Sequence, residues 1–217
     1  MISKEIYLEN PCGTSSLPYW KTNATLVPDS MCIVHDHQFD VCMLKDYEDT
    51  PYFRLMHSLH ELQKPVLPEE FQVFTASDDV WAAHINMCYG AQCVHAEEVA
   101  RWRQRAVYCE TLWLMLCDQR TGEIAASGIA ELDREIGEGV LEWIQVEPSY
   151  RKRGLGRFIV QKLLWRMQKH ARFATVSGKC RDASNPEKLY RSCGFVGNDV
   201  WHILRKRRTY DSIGRNQ

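Results

Sequence analysis

The sequence has no apolar run approaching the ~20 residues that span a bilayer, and its start, MISKEIYLEN, lacks the continuous apolar stretch of a signal peptide. A cytoplasmic protein without a membrane partner is the expectation. Excess charge of either sign is also missing. With 27 Lys and Arg against 28 Asp and Glu, the formal net charge is −1, and no global field draws the chain to nucleic acid or to lipid headgroups. Any basic function must be local. Internal repeats and low-complexity tracts are absent. So is the G-x-x-x-x-G-K-[ST] phosphate loop, and Ile159 stands where a dinucleotide fingerprint needs its third glycine. The 9 cysteines are odd in number and lack the dense spacing of a small secreted scaffold, which points to reduced thiols, most of them small core residues.

What is present is a globular composition, 45% hydrophobic over 217 residues, enough for one domain with a substantial appendage. ENPCGTSSLPYWKTNATLVPDS is rich in turn formers, CIVHDHQF reads as a short strand, and Phe53, Leu55, Met56, Leu59 and Leu62 recur at roughly helical spacing. The prolines of KPVLPEE end that expected helix. They divide the chain into an N-terminal appendage over 1–68, a domain over 69–208 and a tail over 209–217. Past the prolines the order is regular: a strand at FQVFTA, helices at SDDVWAAHINMCYG and AEEVARWRQRAV, then three strands at TLWLMLCD, EIAASGIAELD and GVLEWIQVE. From Leu155 the period becomes helical to about Ala171. FATVSG is the next strand, NPEKLYRSC a short helix and DVWHILRKR a last strand.

The stretch EPSYRKRGLGRFIV joins the strand ending at Val146 to the helix starting at Leu155. Free amides and the positive dipole end at a helix start attract phosphate oxygens. Gly154 and Gly156 admit a ligand close to the backbone, and Arg151, Lys152, Arg153 and Arg157 add charge. Arg151, Gly154 and Gly156, preceded by Val146 and Pro148, resemble the pyrophosphate-binding motif of the GNAT superfamily of acyl-CoA-dependent N-acetyltransferases. SNPEKLYRSCGF, with Asn185, Leu189, Tyr190, Gly194 and Phe195, is similar to that family's second landmark. The resemblance covers about Phe71 to Lys206, and the wider pattern, including EWIQV and NPCGTSSLPYW, resembles bacterial members.

The resemblance implies an α/β (α+β) fold: a mixed, mostly antiparallel sheet with flanking helices and a V-shaped splay between two parallel strands, beside a loop-rich N-terminal appendage. It also implies acetyl-CoA as co-substrate and an amine acceptor. Trp143 to Val146 would line the thioester, with Ile144, Gln145 and Val146 along the cofactor. The turn from Arg151 through Lys152, Arg153, Gly154, Leu155 and Gly156 to Arg157 would hold the pyrophosphate, and Asn185 would contact cofactor. Asn185 is equally explained as the cap ahead of Pro186, and Asp182 or Ala183 occupies the family's more usual asparagine place. Tyr190 is the candidate general acid for the leaving thiolate.

A protonated amine cannot attack, so a base is needed. Glu142 is the first choice and Glu147 the second. Strict alternation puts them on opposite faces of their strand, and both reach one face only if the strand bulges.

Other constellations are weaker. His84, Cys88, Cys93 and His95 are zinc-ligand types, but their spacing matches no common module, and His35 with His37 is weaker still. LRKRR, Leu204 to Arg208, reads as a solvated strand end rather than a nucleic-acid patch. Two other functions remain open: an acyl-CoA-binding sensor that needs neither Glu142 nor Tyr190, and a nucleic-acid-binding protein that uses the basic turn. The acceptor amine and the oligomeric state are not readable from the sequence.

Overall fold

A computed structural model describes residues 2–16, 27–90 and 94–207. Eight strands form one sheet: β1 (Met31–His35), β2 (Tyr47–His57), β3 (Phe71–Phe74), β4 (Trp113–Asp118), β5 (Ile124–Asp133), β6 (Glu138–Val146), β7 (Phe173–Lys179) and β8 (Val196–Lys206). Their order is β1-β8-β2-β7-β6-β5-β4-β3. The expected three-strand meander is β4-β5-β6, each neighbour antiparallel. β6 and β7 pair in parallel, as a crossover through a helix requires. That helix is α5 (Leu155–Met167).

The short helix expected at NPEKLYRSC is α6 (Pro186–Ser192). Helices α3 (Asp78–Tyr89) and α4 (Ala96–Trp102) follow β3, and α4 stops well before the expected Val107. Near the start lie α1 (Lys4–Glu9) and α2 (Pro11–Thr14).

One expectation is overturned. The run from Phe53 to Leu62 is no helix, because residues up to His57 belong to β2. Its apolar residues fit either period, but Phe53-Arg54-Leu55 alternates, with Phe53 and Leu55 in the main core. β2 is bonded on both edges, Arg54 opposite Ser177 of β7 and opposite Asp199 of β8. Consecutive strands β7 and β8 are therefore held apart by a strand from the N-terminal segment. Ladder bonds on both edges outweigh a helical preference that spans only a few residues.

The sheet separates two cores. On one face α5 and α6 cover Leu114, Ala126, Ala130, Leu141 and Val176. Leu155, Ile159, Leu163 and Met167 of α5 are all buried there, and each such side chain contributes about 1.5–3 kcal/mol. On the other face α3 and α4 bury Trp81, Ile85 and Val99 against Met115 of β4 and Ile129 of β5. α1 is anchored to that second face by a buried polar cluster. Tyr7 donates to Glu138 at 2.7 Å, Thr175 donates to the same carboxylate at 2.5 Å, and Arg54 donates to the Tyr7 hydroxyl at 3.0 Å.

Candidate functional site

The site begins where the parallel pairing stops. β6 and β7 are in register from Glu138–Phe173 to Leu141–Val176 and no further. Beyond that point β6 follows β5, with Ile144 opposite Gly128 and Val146 opposite Ala126. β7 instead follows β2, with Ser177 opposite Arg54 and Lys179 opposite Tyr52. The two strands diverge into a wedge, and the β7-facing backbone from Trp143 to Gln145 has no strand partner among the described residues. Such an edge can bond the amides of an extended ligand.

A register shift lies inside this stretch. Ile129 pairs with Trp143 and Ala130 with Leu141, leaving Glu142 as the extra residue of a bulge. The bulge turns Glu142 toward the face shared by Trp143, Gln145 and Glu147, so strict alternation fails here. Glu142 lines a cavity of about 210 Å³ together with Tyr52, Arg54, Val140, Ser177 and Trp201. The Arg54 guanidinium is committed elsewhere. It donates to Ser177 at 3.1 Å and to the Ser16 carbonyl at 3.3 Å, and lies 3.5 Å from Glu138.

The turn after β6 is self-supporting. Glu147 accepts from the Ser149 amide at 2.8 Å and from its hydroxyl. Buried Tyr150 donates to Glu123 at 2.9 Å, and Arg151 donates to the Val146 carbonyl at 3.3 Å. Lys152 and Gly154 both have positive φ, 62° and 81°, which folds the chain back over the helix start. The first α5 bond runs from Phe158 to Gly154 at 3.0 Å. The amides of Leu155, Gly156 and Arg157 therefore have no helical carbonyl, and a glycine N-cap offers no side-chain oxygen in its place. A Cβ on Gly156 would stand 3.2 Å from Leu189 and 3.5 Å from Val146, so the helix packs closely exactly where a side chain is missing.

The basic residues separate in role. Arg151, Lys152 and Arg157 are exposed around the turn. Arg153 reaches Glu70 at 3.3 Å and lies over the rings of Phe71 and Tyr150 at 4.8 and 5.3 Å. Its side chain braces the turn against β3.

Tyr190 is buried on α6, with ring centroids 6.1 Å from Phe53 and 5.7 Å from Phe195. Burial, and then the neighbouring Tyr89, push its hydroxyl above the ordinary range. Asn185 adopts a left-handed conformation and accepts from the Lys188 amide at 3.3 Å, ahead of Pro186. Its side-chain oxygen is thus a helix cap. Asp182 is engaged in its own turn with Ser184.

α3 lies across the same end of β6. His84 is buried, and burial, opposed by the Glu147 carboxylate, brings its pKa down to about 4. Cys88 sits 3.7 Å from the His84 ring, and burial pushes its thiol up to about 11. Tyr89 packs edge-on against Trp143 at 5.5 Å. No group of three or more His, Cys, Asp or Glu among the described residues could hold a metal ion, and Cys93 lies outside those residues.

Sequence reasoning missed Tyr52, Arg54, Ser177 and Trp201 as cavity residues. The alternation around Arg54 was the available signal, and the helical reading obscured it.

Residues 109–197 match the acetyltransferase (GNAT) domain family. No curated protein matches the sequence. Among solved structures, a GCN5-related N-acetyltransferase from Sphaerobacter thermophilus aligns with a TM-score of 0.64 at 17% identity, over 86% of this chain and 63% of its own. The chain thus spans less than two thirds of that protein's length. A putative GNAT-family acetyltransferase from Novosphingobium aromaticivorans aligns at 0.51 with 14% identity, over 85% and 71% of the two chains. A GNAT-family acetyltransferase from Colwellia psychrerythraea aligns at 0.53 with 12% identity, over 82% and 65%. At these identities the likeness establishes the fold.

Proposed function

We propose, from a chain that carries a GNAT acetyltransferase domain over residues 109–197, an acyl-CoA-dependent acyltransferase that moves the acetyl group of acetyl-CoA directly to a primary amine within a ternary complex. The observation that carries this reading is the wedge between β6 and β7 opening directly above a helix start with uncapped amides. The pantetheine arm would pair with the β7-facing edge of Ile144, Gln145 and Val146, displacing Arg151 from the Val146 carbonyl. The pyrophosphate would sit on the amides from Arg153 to Arg157, with Arg151 and Lys152 supplying charge. Asn185 supports the adjoining α6 start.

A lysine-like amine with a pKa of about 10.4 is neutral roughly once in a few thousand molecules at pH 7. Glu142 takes the proton that the amine must lose, directly or through one water. The amine nitrogen then bonds to the thioester carbon, the C–S bond breaks, and the departing thiolate takes its proton from Tyr190. Glu142 is preferred to Glu147 because it lines the cavity, whereas Glu147 is held in the Ser149 turn. Tyr190 is protonated at neutral pH, as a proton donor must be; the upward shift that burial gives it weakens it as an acid, so its role rests on proximity to the departing sulfur.

Calorimetric or dye-based melting tests the cofactor half of this reading. CoA at a hundred times its dissociation constant stabilises the native state by about 2.7 kcal/mol, so the melting temperature should rise, and Gly156→Glu should abolish that rise. No shift at millimolar CoA refutes the reading. Free-thiol release with an amine panel tests the chemistry. Glu142→Gln should slow turnover by about a hundredfold or more, and Tyr190→Phe should lower turnover more than CoA affinity. CoA binding without turnover in the wild type would instead indicate a sensor.

A further inference from the structure

A second cavity, sharing no residue with the one that Glu142 lines, lies against α5. It is a groove of about 460 Å³ between that helix, the segment Lys64–Leu67 and the edge strand β3. Two features distinguish it. Its walls are apolar, built from Pro65, Val66, Leu67, Val73 and Phe158, and two of these are left in water, Val66 88% and Val73 45% exposed. Its remaining lining residues are Lys64, Lys162 and Arg166, with no carboxylate among them.

Three cations in one groove repel each other, and no carboxylate among the described residues is paired with them. None of the three forms an ion pair among the described residues; Arg166 donates only to the Thr111 carbonyl, at 2.7 Å. The ammonium groups of Lys64 and Lys162 both lie over the Trp165 ring, at 5.8 and 4.7 Å from its centroid, which gathers charge at one end of the groove. Burial, then the neighbouring Arg166 and Lys64, hold the Lys162 pKa below its ordinary value. Phe158, Lys162 and Arg166 recur every four residues, so they share one stripe of α5. Lys162 lies roughly 9 Å along the axis from Gly156, clear of the phosphate turn.

We infer that this groove is a second ligand site for an amphipathic anion, a molecule with an apolar body and one carboxylate or phosphate head. The body would cover Val66, Leu67, Val73 and Phe158, removing exposed apolar surface from water. The head would be shared by Lys64, Lys162 and Arg166, relieving their mutual repulsion. The site is independent of the wedge.

Isothermal titration of the full chain, below micelle-forming concentrations, separates the terms. Decanoate and decyl phosphate are the anionic probes, and decanol is the neutral control. Both anions should bind, and decanol should bind at least about tenfold more weakly. The stronger of the two anions identifies the preferred head. Lys64→Gln combined with Lys162→Gln should weaken anion binding about tenfold or more in a protein that still melts cooperatively, and saturating CoA should leave decanoate affinity as it was. If that double variant does not fold, Val66→Asp at the exposed rim should weaken both anions in its place. Equal affinity for decanol, no loss in a folded variant, displacement by CoA, or no binding of either anion would overturn the assignment.

Discussion

The turn between β6 and α5 and strand β2 lie close to the same wedge, yet they are built in opposite ways. The turn is held by neighbours in sequence: Glu147 with Ser149, Arg151 with Val146, Gly154 with Phe158. β2 is held by residues far along the chain, as in the bond from Arg54 to Ser177, 123 positions away. Local contacts can form early and survive changes elsewhere, while distant pairings must wait for loop closure and depend on the whole sheet. The turn therefore supplies chemistry that can be altered at little structural cost. β2 supplies integrity, and also a wall of the cavity that Glu142 lines.

The largest effect should come from removing residues 1–57. Without β2, the facing edges of β7 and β8 lose their shared partner, and the Phe53 and Leu55 side chains leave the core. Soluble expression should fail, or melting should lose cooperativity. A soluble truncation with a sharp transition would show that β7 and β8 can close on each other, and the contrast would collapse.

Next in size is the buried cluster that ties β2 to β6. Arg54→Met leaves the Glu138 carboxyl buried without its cation, a loss of about 3–5 kcal/mol in urea denaturation. Glu138 already has a pKa raised by burial, so proton uptake by the variant should place the loss toward the lower end. Adding Glu138→Met should recover only part of it, since apolar partners can replace a buried pair but the Tyr7 and Thr175 hydroxyls lose this acceptor. A double variant no better than the single would assign the loss to packing of the Arg54 stem.

The smallest of these effects near neutral pH is a pH dependence on the α3 side of the wedge, which reaches its full size only in acid. The His84 pKa falls from about 6.5 when unfolded to about 4 in the fold, so the unfolded chain binds the proton first as pH drops. Its contribution to stability is complete above about pH 6.5 and is lost as pH falls to about 4, on the order of 3 kcal/mol. His84→Leu should flatten that acid limb in melts between those pH values. An unchanged slope would place the titration on other groups.

Residue by residue, legibility followed locality. Arg151, Gly154 and Gly156 announce a helix start open to phosphate because glycine spacing and cation placement act within one turn. Gly154 does take the left-handed conformation that such a start requires. The meander β4-β5-β6 was readable because alternation and turn residues repeat at short range. Phe53 to Leu62 misled because a few apolar residues satisfy two periods, and only the neighbours β7 and β8 select one.

The amino-acid order alone determined the turn between β6 and α5, the start of α5 and the placing of Tyr190 on a short proline-started helix, since these follow from dihedral preferences and side-chain spacing within a few residues. The tertiary structure alone decided that β2 separates β7 from β8, that the bulge aims Glu142 into the cavity, and that His84 meets Glu147. Each of those depends on strand register or on packing between elements far apart in the chain, and register is an energy balance over the whole sheet, which no local window contains.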